Sequence, residues 1–420
     1  MSQNKKFFIY NLGKNFWLYR IAFIISSVGN VAISIAITWW IIDTYQKALY
    51  ISYVMLPSIA ISILSNFILS PLGDKFNRKT ILIVGFILQI LSCIIIVTFS
   101  RIYHLNLYLI ILFQFLFSFG LGIIRVGGLG FLPNIVDKKL LLDANNIVMR
   151  INSVTSILAG SIGGIIFYHL GIDYSFIFLL TAQVIALMFI YYINPISIAD
   201  KEKKEPSWII KDLISGIKYT TKNKILRSLF IYSTIVGIAF GPMQIIIVYI
   251  IKMKLDMSSI SYGLAMSAMS IGIILGSFLY KTMIENKHYK NIFIYFSSLL
   301  FSLAFLILGT FNNLFILFIS LLIIGIARNW INVTIDTKLL KCLPNNKRTR
   351  VLSNMSFFGN ISVPISNIFT GIILDNSNIG AILILNATIV LCASFIFVIN
   401  KPVITFINSD DETSTDLLKK

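Results

Sequence analysis

Residues 80–99 read TILIVGFILQILSCIIIVTF and carry no charged side chain. A helix rises about 1.5 Å per residue, so about 20 residues cross the roughly 30 Å hydrocarbon core of a bilayer. Because that core offers backbone amides no water, such a segment is stable there only when its hydrogen bonds are internal. The stretch therefore predicts a transmembrane helix.

Eleven further stretches have the same length and character, so we expect an all-α membrane protein with twelve transmembrane helices. Composition agrees, with 57% hydrophobic and 12% charged residues and a mean hydropathy of +0.86, because a soluble chain covers its surface with more charge. The predicted spans are Phe16–Ile42, Ala48–Pro71, Thr80–Phe99, Leu107–Leu132, Ile147–His169, Tyr174–Asn194, Ile225–Ile251, Ser258–Lys281, Asn291–Thr310, Leu314–Leu339, Val351–Leu374 and Ile379–Asn400.

The net charge of +18 is distributed as in a membrane protein. Nearly all of the 35 lysines and arginines fall on the predicted segments of one side, including both termini, and that side is cytoplasmic by the positive-inside rule. We therefore expect a multi-pass protein of the cytoplasmic membrane whose basic loops face anionic lipid and not nucleic acid. The exceptions are Lys47, Arg101, Lys252 and Lys254 in external loops, and Arg125 and Arg328 within spans.

Residue patterns for catalysis or metal binding are missing from the sequence. The three cysteines are scattered, and the histidines lie far apart at loop edges. No zinc spacing, phosphate-binding loop or Ser/His/Asp arrangement occurs. We predict neither an enzyme nor a cofactor site, so transport driven by ATP hydrolysis in this chain is not expected.

The chain shows a weak internal repeat at an offset of 211 residues, which aligns Asp74 with Glu285, Lys79 with Lys290, and Leu132-Pro133-Asn134 with Leu343-Pro344-Asn345. An even number of spans between equivalents predicts a parallel repeat, with two six-helix bundles and a central cavity near the midplane. The predicted divisions are a cytoplasmic N-terminus (1–15), bundles at 16–194 and 225–400, a central cytoplasmic loop (195–224) and a tail (401–420) whose polar end, from Asn408, we expect to be disordered.

The loop before residue 80 reads SPLGDKFNRK from Ser70 to Lys79. A tight reversal between antiparallel helices favours Gly73 and Asn77, which tolerate a left-handed backbone. Asp74 is placed to approach a helix N-terminus, whose dipole favours an anion. A solvated basic turn is the alternative interpretation.

This loop resembles the signature of the major facilitator superfamily at Asp74, Arg78 and Lys79. The ending Asn77-Arg78-Lys79, with Trp39-Trp40 and Leu132-Pro133, resembles the macrolide-efflux branch of the drug:proton antiporters. The resemblance implies that Gly73, Asp74, Arg78 and Lys79 form a cytoplasmic gate, in which Asp74 approaches the start of helix 11 and the two basic residues pair with carboxylates or lipid phosphate.

A second resemblance lies in Ala159-Gly160-Ser161-Ile162-Gly163-Gly164. Exporters of the superfamily carry Gly-Pro-x-x-Gly-Gly there, but this chain lacks the proline. Small residues let helices approach closely, so Gly160, Gly163 and Gly164 are candidate helix-packing residues. Simple small-residue packing without an export role is the alternative.

Polar residues inside or beside the spans are candidate functional residues. Asp43 follows the first span, and the resemblance implies proton coupling there; a solvated helix end is the alternative. Arg125 lies near the cytoplasmic side, where snorkelling explains it equally well. Arg328, Asn332 and Asp336 recur every four residues and share one helix face, which predicts either a cavity wall or a structural ion-pair network.

By the superfamily's architecture, helices 1, 4, 7 and 10 line the cavity. The candidate cavity residues are Asn30, Trp40, Gln114, Arg125, Gln244, Arg328, Asn332 and Asp336. We interpret the chain as a monomeric secondary transporter that exports an amphipathic, macrolide-like compound against a proton gradient, without another cofactor. The alternatives are an exporter of an endogenous siderophore, peptide or lysolipid, an uptake carrier, and a receptor or immunity protein that does not transport.

Overall fold

The computed structural model describes residues 12–64, 76–128, 131–195, 218, 220–283, 290–310, 313–343, 345–376 and 379–419. Every regular element in these ranges is helical, which confirms the all-α fold class. The helices are α1 Gly13–Tyr45, α2 Ala48–Leu64, α3 Arg78–Tyr103, α4 Leu107–Gly128, α5 Leu141–Tyr191, α6 Lys224–Phe240, α7 Met243–Tyr249, α8 Ser259–Met283, α9 Lys290–Thr310, α10 Leu314–Cys342, α11 Asn345–Asn376, α12 Ile379–Ser394, α13 Ile396–Ile399, α14 Lys401–Asn408 and α15 Asp411–Lys419.

Nine helical stretches among the described residues are long and apolar enough to cross a membrane. That count takes α5 once, although its 51 residues contain a break at Gly171, where φ is 75°. Glycine adopts this left-handed conformation without the steric cost that a Cβ imposes. The break falls between the predicted spans that end at His169 and begin at Tyr174, and the total of twelve crossings stays a prediction.

The chain divides into two compact units. The first comprises Met1–Ile41, Tyr53–Pro206 and Ser259–Leu264, and the second comprises Ile42–Ser52, Ser207–Ser258 and Ala265–Lys420. The boundaries between these ranges fall within α1, α2 and α8, and the pattern of apolar spans does not predict them.

Within the first unit, α3 packs against α4 and α5. A Cβ at Gly85 would lie 3.0 Å from the Gly120 carbonyl oxygen, and a Cβ at Gly120 would lie 2.9 Å from the Gly85 oxygen. The two glycines therefore allow α3 and α4 to approach more closely than larger residues permit. Helix α4 is continuous to Gly128, although several glycines lie in its second half.

Within the second unit, α9 packs against α10 and α12, and α6 packs against α11 and α12. Asn313 begins α10 by accepting a hydrogen bond from the Phe315 amide at 2.8 Å, a standard N-cap. The predicted seventh span is interrupted, since α6 ends at Phe240, α7 follows Pro242, and a π-helical turn covers Ile250–Lys254.

The prediction of a disordered tail is wrong for the described residues up to 419. Helices α14 and α15 bury Phe406 and Leu418 in the apolar core of the second unit. Ser414 is also buried and donates to the Phe406 carbonyl at 3.0 Å. Although the segment is mostly polar, its few apolar residues pack against the core of the second unit.

Candidate functional site

The stripe on α10 lines a cavity within the second unit. Arg328, Asn332 and Asp336 line a half-open cavity of about 320 Å³, together with residues of α6 and α11. Phe240 and Val363 are among its apolar walls, so the cavity combines charged, amide and hydrophobic surface. Recurrence every four residues places all three polar side chains on one face of α10, as the sequence predicts.

The Arg328 guanidinium lies against an aromatic ring. Its central carbon is 3.2 Å from the centroid of the Phe240 ring, a cation–π arrangement. With the other described residues, Arg328 forms no ion pair or hydrogen bond.

Asp336 and Asn332 are exposed and line this cavity. Asp336 forms no ion pair with Arg328, since residues eight positions apart on a helix are separated by about 12 Å along its axis. The structural-pairing interpretation of the stripe thus finds no support among the described residues. What remains is a cavity with a positive group at one level and a negative group about two turns further along.

Glycines of α6 and α11 also line the cavity. A Cβ at Gly237 would lie 3.1 Å from the Gly359 carbonyl oxygen, so α6 and α11 pack closely there. Tyr232, also in the wall, is buried and shares a hydrogen bond of 2.9 Å with Ser298 on α9. Its hydroxyl is therefore already engaged by the protein.

Buried Arg20 was missed as a functional residue by the sequence analysis. It lies within α1, is only 2% exposed, and donates from Nη2 to Asn152 Oδ1 at 2.7 Å. Its Nε has no hydrogen-bond partner among the described residues. The available signal was its position one turn inside the first predicted span, where we counted it with the cytoplasmic N-terminus.

The family follows from the sequence match. A model of a family described as transmembrane secretion effector matches residues 12–419, almost the whole chain. The chain belongs to this family of major facilitator transporters. No curated protein matches the chain at the sequence level.

Solved transporter structures share the fold. A variant of the nucleoside transporter NupG gives a TM-score of 0.75 at 14% identity, covering 92% of this chain and 99% of that one. A POT family transporter in complex with 5-aminolevulinic acid gives 0.71 at 13% identity, covering 94% and 98%. A bacterial homologue of the iron transporter ferroportin gives 0.68 at 14% identity, covering 92% and 98%.

These likenesses confirm a major facilitator fold in a multi-pass membrane protein. The family consists of transporters and not enzymes, as the sequence analysis expects. At such low identity the solved structures show only that the fold is shared. They do not address the macrolide-efflux branch, the direction of transport or the coupling ion.

For this member of the family, the predicted cavity candidates of the first unit are engaged in helix packing. Gln183 of α5 donates to Asn30 Oδ1 at 2.8 Å and accepts from Ser26 at 3.0 Å. These bonds join α1 to the part of α5 that follows the break at Gly171, and they engage the side-chain oxygen of Asn30. Asn30 therefore has a structural partner within its own unit.

On α4, the two candidates contact α2. Gln114 donates to Ser58, which also accepts from Ser118 at 3.0 Å. Arg125 is exposed and donates to Ser62 at 2.8 Å. Trp40 and Gln244, the remaining candidates, are partly buried on α1 and α7. The cavity in the second unit contains neither of them, and it contains none of the candidates from α1 or α4.

The three glycines of the predicted packing motif lie in close helix contacts within the first unit. A Cβ at Gly163 would lie 2.7 Å from the Ala32 Cα of α1. A Cβ at Gly164 would lie 2.5 Å from the Ser259 carbonyl oxygen at the start of α8, and Ser259 donates back to the Gly164 oxygen at 3.0 Å. Gly160 shares this seam, since its carbonyl lies against Gly263.

The gating motif lies partly outside the described residues, because these begin again at Phe76 and so omit Gly73 and Asp74. We expected a left-handed backbone at Asn77, but its φ is −63°. Asn77 is instead the N-cap of α3, and its side chain accepts a hydrogen bond from the Lys79 amide at 3.0 Å. Lys79 Nζ donates to the Tyr191 carbonyl at 2.7 Å and lies over its ring. Arg78 is partly buried in the first turn of α3.

Asp43, the proton-coupling candidate, forms an ion pair. Its Oδ1 lies 2.6 Å from Lys252 Nζ, and its side chain is 50% exposed. Both residues belong to the second unit. The structure thus places a charged partner where the sequence analysis expected either a partly buried proton carrier or a solvated helix end.

Proposed function

We propose that this protein is a secondary active transporter that exports an amphipathic small molecule by alternating access, coupled to inward proton flow. The observation that carries the proposal is the α10 cavity, in which charged and aromatic groups share a space of about 320 Å³. Such a mixture of apolar walls and a few convergent polar groups is typical of small-molecule sites. Membership of the secretion effector family supports the outward direction.

Macrolides are the substrate that the branch resemblance favours. We test this by susceptibility profiling of a pump-deficient bacterial host that expresses the chain, with and without a protonophore. We expect resistance to at least one amphipathic antibiotic, and we expect the protonophore to abolish it. Unchanged susceptibility to every macrolide would retire that substrate class, and resistance that persists with the protonophore would retire proton coupling.

Coupling requires that the proton and the substrate each bind the two conformations with different affinity. We propose Asp43 as the group that carries the proton, and we propose that its bond to Lys252 forms and breaks during the cycle. Protonation of Asp43 removes the charge that holds Lys252, which gives the proton a different affinity for the paired and the separated arrangement.

An uptake carrier is the second candidate, favoured by the missing proline in the α5 signature. Everted membrane vesicles energised with respiratory substrate discriminate between the two directions. We expect such vesicles to accumulate the exported compound, whereas an uptake carrier loads right-side-out vesicles.

We further propose a monomer of the cytoplasmic membrane with both termini inside. Fusing a reporter that is active only in the cytoplasm to each terminus tests this topology. We expect activity from both fusions. A silent fusion at either end would contradict this topology, and silence at one end alone would contradict an even number of crossings.

A further inference from the structure

We propose that the α10 cavity selects amphipathic zwitterions, with an anionic group of the ligand bound by Arg328 and a cationic group facing Asp336. This inference rests on the proposed function and names the substrate class of the same site. It differs from the macrolide expectation, because a macrolide carries a basic amine without an anionic group.

The state of Arg328 provides the first argument. A guanidinium is charged at every physiological pH and presents a planar fork of donors that fits carboxylate, phosphate or sulfonate groups. In this cavity the central guanidinium carbon lies 3.2 Å from the centroid of the Phe240 ring. No described residue supplies an anion or a hydrogen-bond acceptor to the N–H groups of Arg328.

Arg328 is half-buried, and a charge in a partly apolar cavity is costly unless it is paired. An anionic ligand group therefore gains a charge-assisted hydrogen bond from Arg328 and removes that cost. A neutral ligand gains neither advantage, and a cation adds repulsion.

Asp336 provides the second argument. It lies on the same face of α10, about 12 Å further along the axis, and faces the same space. A ligand with a single negative charge leaves this carboxylate without a counter-charge, and a dianion meets repulsion there. A ligand that carries an amine several bonds from its anionic group satisfies both ends.

The surface between the two charges is suited to an apolar spacer. Ile331 and Ile335 of α10, with Val236 and Val363, line the cavity beside the charged pair. The volume of about 320 Å³ is at the lower end of the usual range of roughly 300–1,000 Å³ for small-molecule sites. The cavity thus fits a compact zwitterion with a short hydrocarbon body.

The test compares three probes that share one hydrocarbon body, namely 8-aminooctanoic acid, octanoic acid and octylamine. Purified full-length protein in lipid nanodiscs is titrated with each, and the midpoint of thermal unfolding is followed by tryptophan fluorescence. We expect saturable stabilisation by 8-aminooctanoic acid at the lowest concentration, weaker binding of octanoic acid, and the weakest binding of octylamine.

Substitutions of Arg328 and Asp336 test whether these two residues produce the expected order of binding. Arg328→Gln should weaken the binding of both carboxylates by about ten-fold, because it removes a charge-assisted bond. Asp336→Asn should remove the advantage of 8-aminooctanoic acid over octanoic acid. Arg101→Gln, which removes an exposed arginine at the last turn of α3, is the matched control and should change neither.

The wild-type series alone decides the proposal if a variant fails to fold. Equal effects of the three probes, preference for octylamine, or no saturable effect of 8-aminooctanoic acid would each overturn it. Transport in proteoliposomes is measured separately, so the two proposals fail in different ways. The expected binding order without transport contradicts the proposed function, whereas transport of amphipathic probes without charge selectivity contradicts this inference.

Discussion

Lys252 Nζ lies 2.6 Å from Asp43 Oδ1 and joins the π-helical turn after α7 to the last turn of α1. The Asp43 side chain is 50% exposed and that of Lys252 is 28% exposed, so water screens the pair. Exposed pairs contribute at most about 1 kcal/mol. Such a bond is weak enough to form and break repeatedly, as a conformational cycle requires.

We predict that Asp43→Asn and Lys252→Gln lower proton-driven transport to a similar extent, and that combining them adds little. The reason is that each single change already removes the same bond. The measurement is transport into everted vesicles at several pH values, with Lys47→Gln as a control for an external lysine. The charge-reversed variant Asp43→Lys/Lys252→Asp should recover part of the rate. Loss of the pH response in Asp43→Asn alone would instead show that the carboxyl group acts without the pair.

Asp375 caps α2. Its Oδ1 accepts from the Ala48 amide at 2.7 Å and its Oδ2 accepts from the Leu49 amide at 3.2 Å. Because these amides have no partner within α2, we predict that Asp375→Ala destabilises the protein by about 1 kcal/mol. Thermal unfolding in detergent measures this change. Asp173→Asn, an exposed carboxylate in the first unit, is the control, and an equal loss in both variants would argue against a capping role.

Gly164 is required by a close approach of helices. A Cβ there would lie 2.5 Å from the Ser259 carbonyl oxygen, so we predict that Gly164→Ala destabilises the protein by about 1–3 kcal/mol. Gly128→Ala is the matched control, since the nearest atom to its added Cβ would be 3.7 Å away. Unfolding by heat should separate the two variants. Equal stability would mean that α5 and α8 shift apart at little cost.

Asp411 of α15 forms ion pairs with Lys338 and Lys341 of α10. Partial burial raises the pKa of Asp411, but the hydrogen bond and charge of Lys338 and the charge of Lys341 outweigh it and hold the pKa below its usual value of 3.8. A lowered pKa stabilises the folded form at pH values above about 4, and this contribution is lost as the pH falls through the lowered pKa. We predict that α15 loosens in acid.

Asp411→Asn should produce the same loosening at neutral pH. Because half of the Asp411 side chain is exposed, the expected loss is below about 1 kcal/mol. Hydrogen exchange of residues 411–419 measures it, with Glu412→Gln as a neighbouring control. Protection from exchange, taken relative to the intrinsic rate at each pH, that is unchanged between pH 7 and about pH 3 would assign the docking to Leu418 and Phe406 alone.

Asp74→Asn should lower transport while leaving the amount of folded protein in the membrane nearly unchanged. The prediction follows from the preference of a helix N-terminus for an anion, which an amide satisfies only weakly. Membrane abundance and transport rate are measured on the same preparation, with Asp137→Asn as a control carboxylate. Transport at the wild-type rate would remove Asp74 from the gate.

The stripe on α10 shows which structural features can be predicted from residue spacing and which cannot. Arg328, Asn332 and Asp336 were grouped correctly because one helix with a period of 3.6 residues decides which side chains share a face. The same reasoning left a cavity and an ion-pair network as equal alternatives, since the partner surface comes from Phe240 and α11, far away in the chain. For Asn30 and Gln114 the suggestion of a cavity position came from helix identity alone and stays a prediction, whereas the structure gives each a hydrogen-bond partner on a neighbouring helix, Gln183 and Ser58.

Solvent preference acts on each segment separately, so the apolar stretches were sufficient to identify a helical membrane protein and to locate most of its helices. Hydrophobicity and backbone hydrogen bonding need no knowledge of neighbours. The burial of Arg20, the ion pair between Asp43 and Lys252, and the docking of α15 through Leu418 became visible in the folded chain alone. These contacts join residues up to hundreds of positions apart, and their energies depend on distance and burial that a linear pattern does not encode.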